Sequence, residues 1–393
     1  MAEQLANLGY AAIKKETTAG TAVTPNVYVP LYSEDMKTDV KLDEDNPVVG
    51  HKFERHQAFL GVRAHAGTVE VLAEPNTAAH WFNMLLWKGT TTGGTDPYTH
   101  PFTLVEADSQ SYTLDIAVGN HVKRFIGVKA SSIKPAFNEN KMHFEVALSA
   151  LKSFQTRTIA SVSGIGPYTI SFDDDYDPSP TTGLVVGDLI QVYDVSEGTY
   201  INAIVDTIED ATDITVSEDV SAGAAGDIVS LRPGTPSYSV LTPFLWSRSE
   251  FRFADTAANA LSATHTPLES GSEWEIMHNF EEDEGSKRSG SFDPAALPRT
   301  QGNAALSLKK FFDDPQELNR FLTLGDRALV IRHFSGTGHE LRLTFNKVHI
   351  AEDGDPVLST GEIIYQEYTG SPVYKTADSQ AIAVTVINAL SSI

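Results

Sequence analysis

Three histidines, His51, His56 and His65, stand close to acidic residues in the chain, and imidazole and carboxylate groups together can bind a metal ion. Their spacing does not match a metal-binding signature such as His-Glu-x-x-His, so we interpret them as solvated loop residues. The run Asp-Asp-Asp-Tyr-Asp at 173–177 offers carboxylates of the kind that calcium prefers. It lacks the spacing and the glycine of a calcium-binding loop, which favours a solvated acidic turn. The sequence therefore predicts no metal site.

Residue patterns for catalysis are also missing from the sequence. The glycine-rich run 89–94 is not followed by Lys-Ser or Lys-Thr, which a phosphate-binding loop needs. The chain has no Gly-x-Ser-x-Gly motif and no cysteine, which excludes a thiol nucleophile, disulfides and cysteine-bound zinc. Its 52 acidic residues make neighbouring carboxylates so common that they give no evidence for a glycosidase. We therefore predict no catalytic residue, no cofactor and no enzymatic activity.

Composition narrows the class of protein further. The 393 residues carry 29 basic and 52 acidic side chains, 29 − 52 = −23, and 41% of the residues are hydrophobic. This length and apolar content fit two or three globular domains. So acidic a chain is not expected to wrap tightly onto DNA phosphates, because tight wrapping needs clustered lysine and arginine. We find no signal peptide and no apolar run long enough for a membrane span, so we expect a protein of the reducing cytoplasm that does not enter a membrane.

The charge is concentrated in the middle of the chain. Residues 1–158 carry 15 basic and 17 acidic side chains, residues 159–234 carry 1 and 14, and residues 235–393 carry 13 and 21. Turn-rich sequences border the middle segment on both sides, which is typical of an inserted domain. Short alternating apolar stretches inside it predict a small all-β module. These stretches cover 189–193, 201–205, 214–217 and 228–231.

The two flanking segments resemble each other in the order of their predicted elements. In each, a strand is followed by a short helix and then by two hairpins. The offset between the copies is 235 at Gly67 and Gly302, and 218 at His121 and His339. Identity is low, so the repeat is one of pattern rather than of residue types.

Sequence signals indicate the ends of both helices. We expect Asn76 or Thr77 to cap the first helix and Gly89 to follow it, and Asp314 and Gly325 to do the same for the second. An apolar stripe at i, i+3 and i+4 on each helix would pack on a sheet. The stripes are Trp81, Met84 and Leu85 in the first helix and Leu318, Phe321 and Leu322 in the second.

The predicted fold class is mainly β (α+β). It consists of two tandem β-sandwich or barrel domains, each with a short flanking helix, and a small all-β domain inserted between them. The expected bounds are 1–158, 159–234 and 235–393, the last with a C-terminal arm. We assign the large aromatic residues, such as Trp81 and Trp87, to the cores.

The order of motifs in the first segment resembles that of a known family. The chain opens with Tyr-Ala-Ala-Ile-Lys-Lys-Glu-Thr-Thr-Ala-Gly-Thr at 10–21 and Tyr-Val-Pro-Leu-Tyr-Ser at 28–33. Gly-Thr-Val-Glu-Val at 67–71, the first helix, Ser-Tyr-Thr-Leu-Asp-Ile at 111–116 and Phe-Ile-Gly-Val-Lys at 125–129 follow. This order is similar to that of tail tube (major tail) proteins of long-tailed bacteriophages. The second segment shares the pattern only, and the middle segment lies outside the resemblance.

The resemblance implies a structural protein of the virion tail, assembled in the host bacterial cytoplasm. In that family a β-sandwich or barrel with a flanking helix forms rings, and the rings stack into a hollow tube through which DNA passes without tight binding. The implied partners are the chain itself and the tape measure, tail tip and terminator proteins. Because each chain carries two tube-like halves, we expect three chains per ring, 3 × 2 = 6 halves. The alternative is a β-rich carbohydrate-active or host-binding virion protein.

Two long polar loops, at 42–63 and 280–295, are the expected contacts with neighbouring subunits and rings, together with the N-terminal arm and the tail after Ser371. We expect a neutral or negative lumen, since a basic wall would bind DNA. We expect the middle segment to fold independently on the tube exterior. The residues assigned to inter-subunit contacts are Asp43, Glu44, Asp45, His51, Arg55, Glu281, Glu282, Asp283, Glu284, Lys287 and Arg288.

Overall fold

The chain is mostly β, with 57% of residues in strands and 6% in helices, which confirms the predicted fold class. No helix in the described part of the chain is long and apolar enough to cross a bilayer. The computed structural model describes residues 9–45, 57–104, 109–174, 179–239, 242–269, 271–280, 291–311, 327–335, 338–353 and 365–393.

The N-terminal part contains eleven strands and one helix among its described residues. They are β1 (Tyr10–Lys15), β2 (Val27–Val29), β3 (Leu31–Glu34), β4 (Lys37–Asp45), β5 (Gln57–Leu72), α1 (Pro75–Leu85), β6 (Trp87–Lys88), β7 (Tyr98–Thr103), β8 (Tyr112–Val118), β9 (His121–Asn138), β10 (Lys141–Ala150) and β11 (Lys152–Phe154). The two predicted hairpins share β9, a single strand of 18 residues that accommodates the register shifts facing β8 and β10 as bulges and does not end between the hairpins.

The middle part is all β, and each of the four strands predicted there is confirmed. Its strands are β12 (Thr156–Ser163), β13 (Tyr168–Phe172), β14 (Leu189–Asp194), β15 (Thr199–Ile208), β16 (Asp213–Val216) and β17 (Ile228–Leu231). The C-terminal part follows with β18 (Ser249–Ala254), α2 (Ala257–Ser262), β19 (Glu273–Phe280), β20 (Arg299–Phe311), β21 (Arg327–Phe334), β22 (Glu340–Asp353), β23 (Tyr365–Pro372) and β24 (Ile382–Asn388).

The N-terminal and C-terminal parts have the same strand order. Antiparallel neighbours in the first follow the order β1-β8-β9-β10-β5-β4. In the second they follow β18-β21-β22-β23-β20-β19. Chain order and pairing order therefore repeat together, strand for strand.

The two parts nevertheless share one hydrophobic core. A single cluster of buried apolar side chains extends from β1, β5, β8, β9, β10 and α1 to β18–β22 and β24. At its centre the ring of Trp274 lies 6.3 Å from the rings of both Phe82 and Phe144, and its indole N–H donates to His333. Aromatic side chains bury the largest apolar areas, so these contacts between the parts contribute strongly to stability.

Helix α1 differs from the expectation at both ends. Glu74 is the N-cap, without a side-chain capping bond, and proline occupies the first helical turn. The helix ends at Leu85 with Leu86 as the extended C-cap, four residues before the expected Gly89 (89 − 85 = 4). Proline at the first position needs no N–H partner, so it starts the helix before Asn76 or Thr77 can cap it. The second predicted helix and its caps lie outside the described residues.

The environment of α1 also differs from the prediction, which was a helix that packs on one sheet through a single apolar face. Ten of its eleven residues are buried, and it contacts β7, β9 and β24. The predicted stripe is buried, but the helix is enclosed on every side rather than along one face. Trp81 is in the core as expected, whereas Trp87 is 39% exposed in the short strand β6, which corrects its assignment to the core.

The core of the middle part is not built from that part alone. Its buried side chains form one cluster with Tyr10, Ala12, Ala117 and Val122, which lie on the face of β1, β8 and β9 that points away from α1. Strand β17 also joins this sheet, where Leu231 pairs with Val122. The expectation of an independently folded module therefore needs correction, since the N-terminal part supplies one wall of its core.

A buried ionic network ties the middle part to this sheet. The guanidinium of Arg124 donates to both carboxylate oxygens of Asp115, at 2.7 and 2.8 Å, and to the carboxylate of Asp188 and the carbonyl oxygen of Gly183. Arg124 is 2% exposed. Burial opposes its charged form, but the two carboxylates outweigh that effect and raise the pKa of Arg124.

Removing the cation of this network should destabilise the fold strongly. We expect Arg124→Met to lower the free energy of unfolding by about 3–5 kcal/mol, because the buried carboxylates of Asp115 and Asp188 then lose the cation that lies between them. Arg342→Met is the matched control: Arg342 also bonds a carboxylate, that of Glu340, but its side chain is 25% exposed. Its loss should cost roughly 1 kcal/mol or less. Urea unfolding of the two variants measures the difference, and equal losses would contradict the assigned role.

The carboxyl of Glu74 should make stability depend on pH. Glu74 is 5% exposed, and burial raises its pKa from 4.5 to about 7. Between these values the folded state keeps a proton that the unfolded state releases, so the free energy of unfolding falls as pH rises through this window. Glu74→Gln should remove the fall and stabilise the protein at pH 8 by roughly 1–3 kcal/mol. Chemical unfolding at pH 5 and 8, with the exposed Glu209→Gln as control, checks this. A gain at neither pH would refute it.

Candidate assembly surfaces

The residues predicted for inter-subunit contacts belong to two equivalent hairpins, β4–β5 and β19–β20. Residues Asp43, Glu44 and Asp45 are not in a loop: they extend β4 and pair with residues 57–59 of β5. The loop is thus shorter than expected. The other eight predicted residues, His51, Arg55, Glu281, Glu282, Asp283, Glu284, Lys287 and Arg288, lie outside the described residues.

Matching irregularities in the ladders fix how the two hairpins correspond. In the β4–β5 ladder, Val40 pairs with Arg63 and Leu42 pairs with Leu60. Strand β5 therefore has one more residue than β4 between these two pairs, which is a β-bulge. In β19–β20 the same irregularity lies between His278–Gly302 and Phe280–Arg299. A β-bulge changes register at one definite position, so it is a strong marker of equivalence. The offsets are 278 − 40 = 238 for the first strands and 302 − 63 = 239 for the second.

The ladders formed by β9 and β22 give a second offset, and their two bulges agree on its value. The bulge between Ser132 and Ala130 of β9 corresponds to the bulge between Glu352 and Ile350 of β22, an offset of 352 − 132 = 220. A second bulge, facing β8 and β21, gives the same value (348 − 128 = 220). The offsets of 235 and 218 expected from sequence patterns are therefore wrong, because they align glycines and turn residues and take no account of bulges.

The two parts meet where β19 pairs with β9. Ile276 lies opposite Ile133 and Met277 opposite Ser132, in antiparallel register. The two isoleucines are fully buried, so the core continues across the joint without a break. On the opposite face of the sheet the ammonium of Lys134 lies 2.9 Å from the carboxylate of Glu273. Both of these side chains are about 40% exposed, so the apolar pair contributes more to the joint than the ion pair does.

Arg299 crosses this joint. Its guanidinium donates to the carbonyl oxygen of Met84 in the last turn of α1 at 2.7 Å, to the carbonyl oxygen of Ala130 in β9 at 3.0 Å and to the hydroxyl of Ser109 at 2.6 Å. It also lies 4.6 Å from the centre of the Phe280 ring. A cation at a helix C-terminus satisfies free carbonyl groups and interacts favourably with the helix dipole. Arg299 thus links α1 to both strands of the joint.

A second polar contact joins residues 291–293 to β5. The imidazole Nε2 of His65 lies 3.2 Å from the carboxylate of Asp293, and its Nδ1 lies 3.0 Å from the hydroxyl of Thr38. Burial raises the pKa of Asp293, but the bond from His65 and the nearby Arg63 and Lys152 together lower it below its usual range. Asp293 therefore stays ionised within a cluster that has more basic than acidic groups.

The joint makes one continuous antiparallel sheet of eight strands, in the order β4-β5-β10-β9-β19-β20-β23-β22. Among the described residues, the outer edge of β4 has no strand partner. Strand β21 covers one edge of β22 only as far as Val348. After Val348, this edge of β22 also has no strand partner among the described residues. These two edges are the register equivalents of β19 and β9 at the joint. Six of the nine residues of β4 are charged, which discourages pairing with unrelated strands.

One face of this sheet points away from the core. Alternation along each strand brings small and charged residues to this face. A shallow hollow of about 220 Å³ lies over the joint on this side, between Lys134, Glu273 and Glu275. The charged residues of the face include Lys37, Lys41, Lys134, Lys141 and Lys309, and Asp39, Glu70, Glu145, Glu273, Glu275 and Glu367, so basic and acidic groups nearly balance among the side chains that the structure describes.

Sequence patterns alone did not identify the joint. Its residues Ile133, Ile276 and Arg299 look like ordinary strand residues, and no motif in the sequence distinguishes them. No curated protein matches the chain. A family model described as phage tail tube protein matches residues 6–200, and so extends through β14 into the middle part. The chain belongs to the phage tail tube protein family and is a structural component of the virion tail.

Proposed function

We propose that three copies of this chain close a ring, that the rings stack into the tail tube, and that DNA passes through the lumen. The observation that carries this proposal is the eight-stranded sheet, in which two equivalent four-stranded units are joined by β9 and β19. The same sheet leaves the equivalents of those two edges, on β22 and β4, without a strand partner in the described part of the chain. A second copy can therefore add to the first in the way that the second half adds to the first half.

Closure follows from the cost of open edges. An edge strand exposes unpaired N–H and C=O groups, and a head-to-tail interface that repeats around a closed ring removes every such edge. Three chains supply 3 × 2 = 6 equivalent units. The proposed ring is thus a pseudo-hexamer with two kinds of joint, β9–β19 within each chain and β22–β4 between chains.

The remaining parts have proposed places in this assembly. The domain bounds 1–158, 159–234 and 235–393 follow the repeat, with the reservation that the middle domain borrows part of its core from the first. We assign the middle domain to the outer surface, because its 14 acidic residues would repel DNA phosphates in a lumen. The loops that contain His51, Arg55 and 281–288 would contact neighbouring rings. Assembly in the host cytoplasm, with the tape measure, tail tip and terminator proteins, is part of the same proposal.

Chemical crosslinking tests the ring and its stoichiometry, since the chain has no native cysteine. The offsets of 238 and 220 make Asp39 of β4 equivalent to Met277 of β19, and Glu352 of β22 equivalent to Ser132 of β9. Asp39 of one chain should therefore lie opposite Glu352 of the next chain. We expect a protein with Asp39→Cys and Glu352→Cys, treated with a short thiol crosslinker after assembly, to form covalent dimers and trimers and nothing larger. Residues directly opposite in an antiparallel pair have Cβ atoms about 5 Å apart, within reach of the linker. Denaturing gels and mass measurement count the chains.

Two controls accompany this experiment. Met277→Cys with Ser132→Cys should crosslink within one chain, so the product stays a monomer and gains only the mass of the linker. Thr199→Cys with Glu352→Cys, which uses an exposed residue of the middle part, should not link chains in a ladder. A ladder that continues to six chains would replace the trimer by a hexamer, and no ladder in assembled tubes would refute the β22–β4 joint.

The sheet face that points away from the core, where basic and acidic side chains nearly balance, is proposed to line the lumen. Arginine at the exposed positions Ala64, Ala305 and Thr369 should make this wall basic, and we expect DNA release from reconstituted virions to slow at least several-fold. The subunits should still assemble, because these side chains point away from the core. The matched control places arginine at Thr199, Asn202 and Ala225 of the middle part, which adds the same charge elsewhere. Equal release rates in the two triple variants would count against this lumen assignment.

A further inference from the structure

A cavity lies at the seam between the N-terminal part and the middle part, and we call it the seam cavity. Its volume is about 230 Å³, which corresponds to about seven water molecules. The buried ionic network around Arg124 forms its inner wall, and the rings of Tyr10 and Tyr28 form a second wall. Thr24 and Gly187 also line it and are exposed, so the seam cavity is open to solvent.

The inner wall has unused hydrogen-bond acceptors on Asp115. A carboxylate can accept about four hydrogen bonds. Asp188 receives four, from the hydroxyl of Thr24, from the backbone N–H of Val185 and two from Arg124. Asp115 receives two, both from Arg124, and has no other donor in the described part of the chain. Burial raises the pKa of Asp115 despite the opposite effect of Arg124, so a further donor would stabilise its charged form.

The other walls carry unused hydrogen-bond donors. The backbone N–H of Gly234 donates to the hydroxyl oxygen of Tyr10 at 3.0 Å, and the O–H of Tyr10 has no acceptor among the described residues. Burial raises the pKa of Tyr10, so its hydroxyl keeps the proton that it can donate. The hydroxyl of Tyr28 and the guanidinium of Arg232 also have no hydrogen-bond or ionic partner in the described ranges.

Charge and shape favour a neutral, ring-shaped ligand. Two carboxylates and two guanidinium groups line the seam cavity, so their formal charges cancel (2 − 2 = 0). An ion would therefore lose its hydration on entry and gain little from these walls. The rings of Tyr10 and Tyr28 lie 5.3 Å apart and are inclined at 68°, which forms an apolar corner. A pyranose offers C–H groups to such a corner, and its vicinal hydroxyls act both as donors and as acceptors.

We propose that the seam cavity binds one neutral pyranose unit of a glycan. Two vicinal hydroxyls of the sugar donate to Asp115 and accept from Arg232 and Tyr28, while the C–H groups of the ring pack against Tyr10 and Tyr28. All of these groups belong to one chain, so binding does not depend on the proposed ring. The biological role does rest on the proposed function: on the outer surface of a tube, many such sites would give the tail repeated weak contacts with sugar polymers.

Titration of the full-length protein with simple glycosides tests the site. The probes are the methyl glycosides of glucose, galactose, mannose and N-acetylglucosamine, measured by saturation-transfer NMR and calorimetry. We expect at least one of them to bind, with one site per chain. Arg232→Met and Tyr28→Phe should each weaken that binding roughly five- to ten-fold, because each removes a hydrogen bond to the sugar. Arg342→Met and Tyr200→Phe, which lie outside the seam cavity, are the matched controls and should not change the affinity.

A further variant fills the seam cavity and leaves the ionic network intact. A Cβ atom at Gly234 would lie 3.8 Å from the hydroxyl of Tyr28 and 4.0 Å from that of Tyr10, which are ordinary contacts. Gly234→Leu should therefore fold normally and abolish sugar binding. Gly94→Leu is the control, because a Cβ atom there meets open space outside the seam cavity. Urea unfolding verifies that every variant is folded.

Three results would overturn the site. They are the absence of binding by all four glycosides, sugar binding that survives Gly234→Leu, and binding of glycine in place of the sugars, since a zwitterion would show that the ligand is ionic. Arg232→Met decides the matter if Gly234→Leu does not fold, because the guanidinium that it removes has no partner among the described residues. The crosslinks between Asp39 and Glu352 do not depend on any of these results, so the site and the ring fail separately.

Discussion

The pairing of β9 with β19 is the interaction on which the rest of the structure depends. It places the second unit of the chain beside the first in one sheet, so that Trp274 reaches the ring of Phe82 and one core serves both units. Had the two halves folded as separate domains, each would have needed its own core and would have exposed two sheet edges. Joining them removes one pair of edges and leaves one pair.

The enclosure of α1 follows from this joint and has a cost. His80, Trp81 and Asn83 each have a buried polar atom without a hydrogen-bond partner in the described part of the chain. Burial, with smaller contributions from His100 and Lys15, lowers the pKa of His80 to about 4, so the imidazole is neutral at physiological pH. Such atoms are expensive to bury. The large aromatic contacts around the helix offset that cost, which a helix lying on one sheet alone would not achieve.

Much of the fold could be predicted from the sequence, because alternation and turn residues are local signals. They identified the hairpins around 119–120 and 139–140, the four strands of the middle part and the existence of a repeat. They did not give the correspondence between the halves, since a bulge shifts register by one residue without a signature in residue types. Nor could they identify Arg124 as buried, because its partner Asp188 lies 64 residues away in the chain. The joint itself depends on contacts across more than 140 residues (276 − 133 = 143), which no local pattern records.

The strand β24, near the end of the chain, covers the helix α1 of the first half. Strand β24 lies between β22 and β7, the amide of Asn388 donates to the carbonyl oxygen of Pro75, and the imidazole of His100 bonds the carbonyl oxygen of Leu390. The tail expected to reach a neighbouring ring is therefore docked on its own chain through Asn388. During synthesis, α1 emerges about 300 residues before the strand that covers it, since chains grow from the N-terminus. The first half therefore acquires its final surface only after residues 382–388 have been made. Until then the edges of β7 and β22 that this strand covers have no partner from it, and the helix α1 lacks one of its walls.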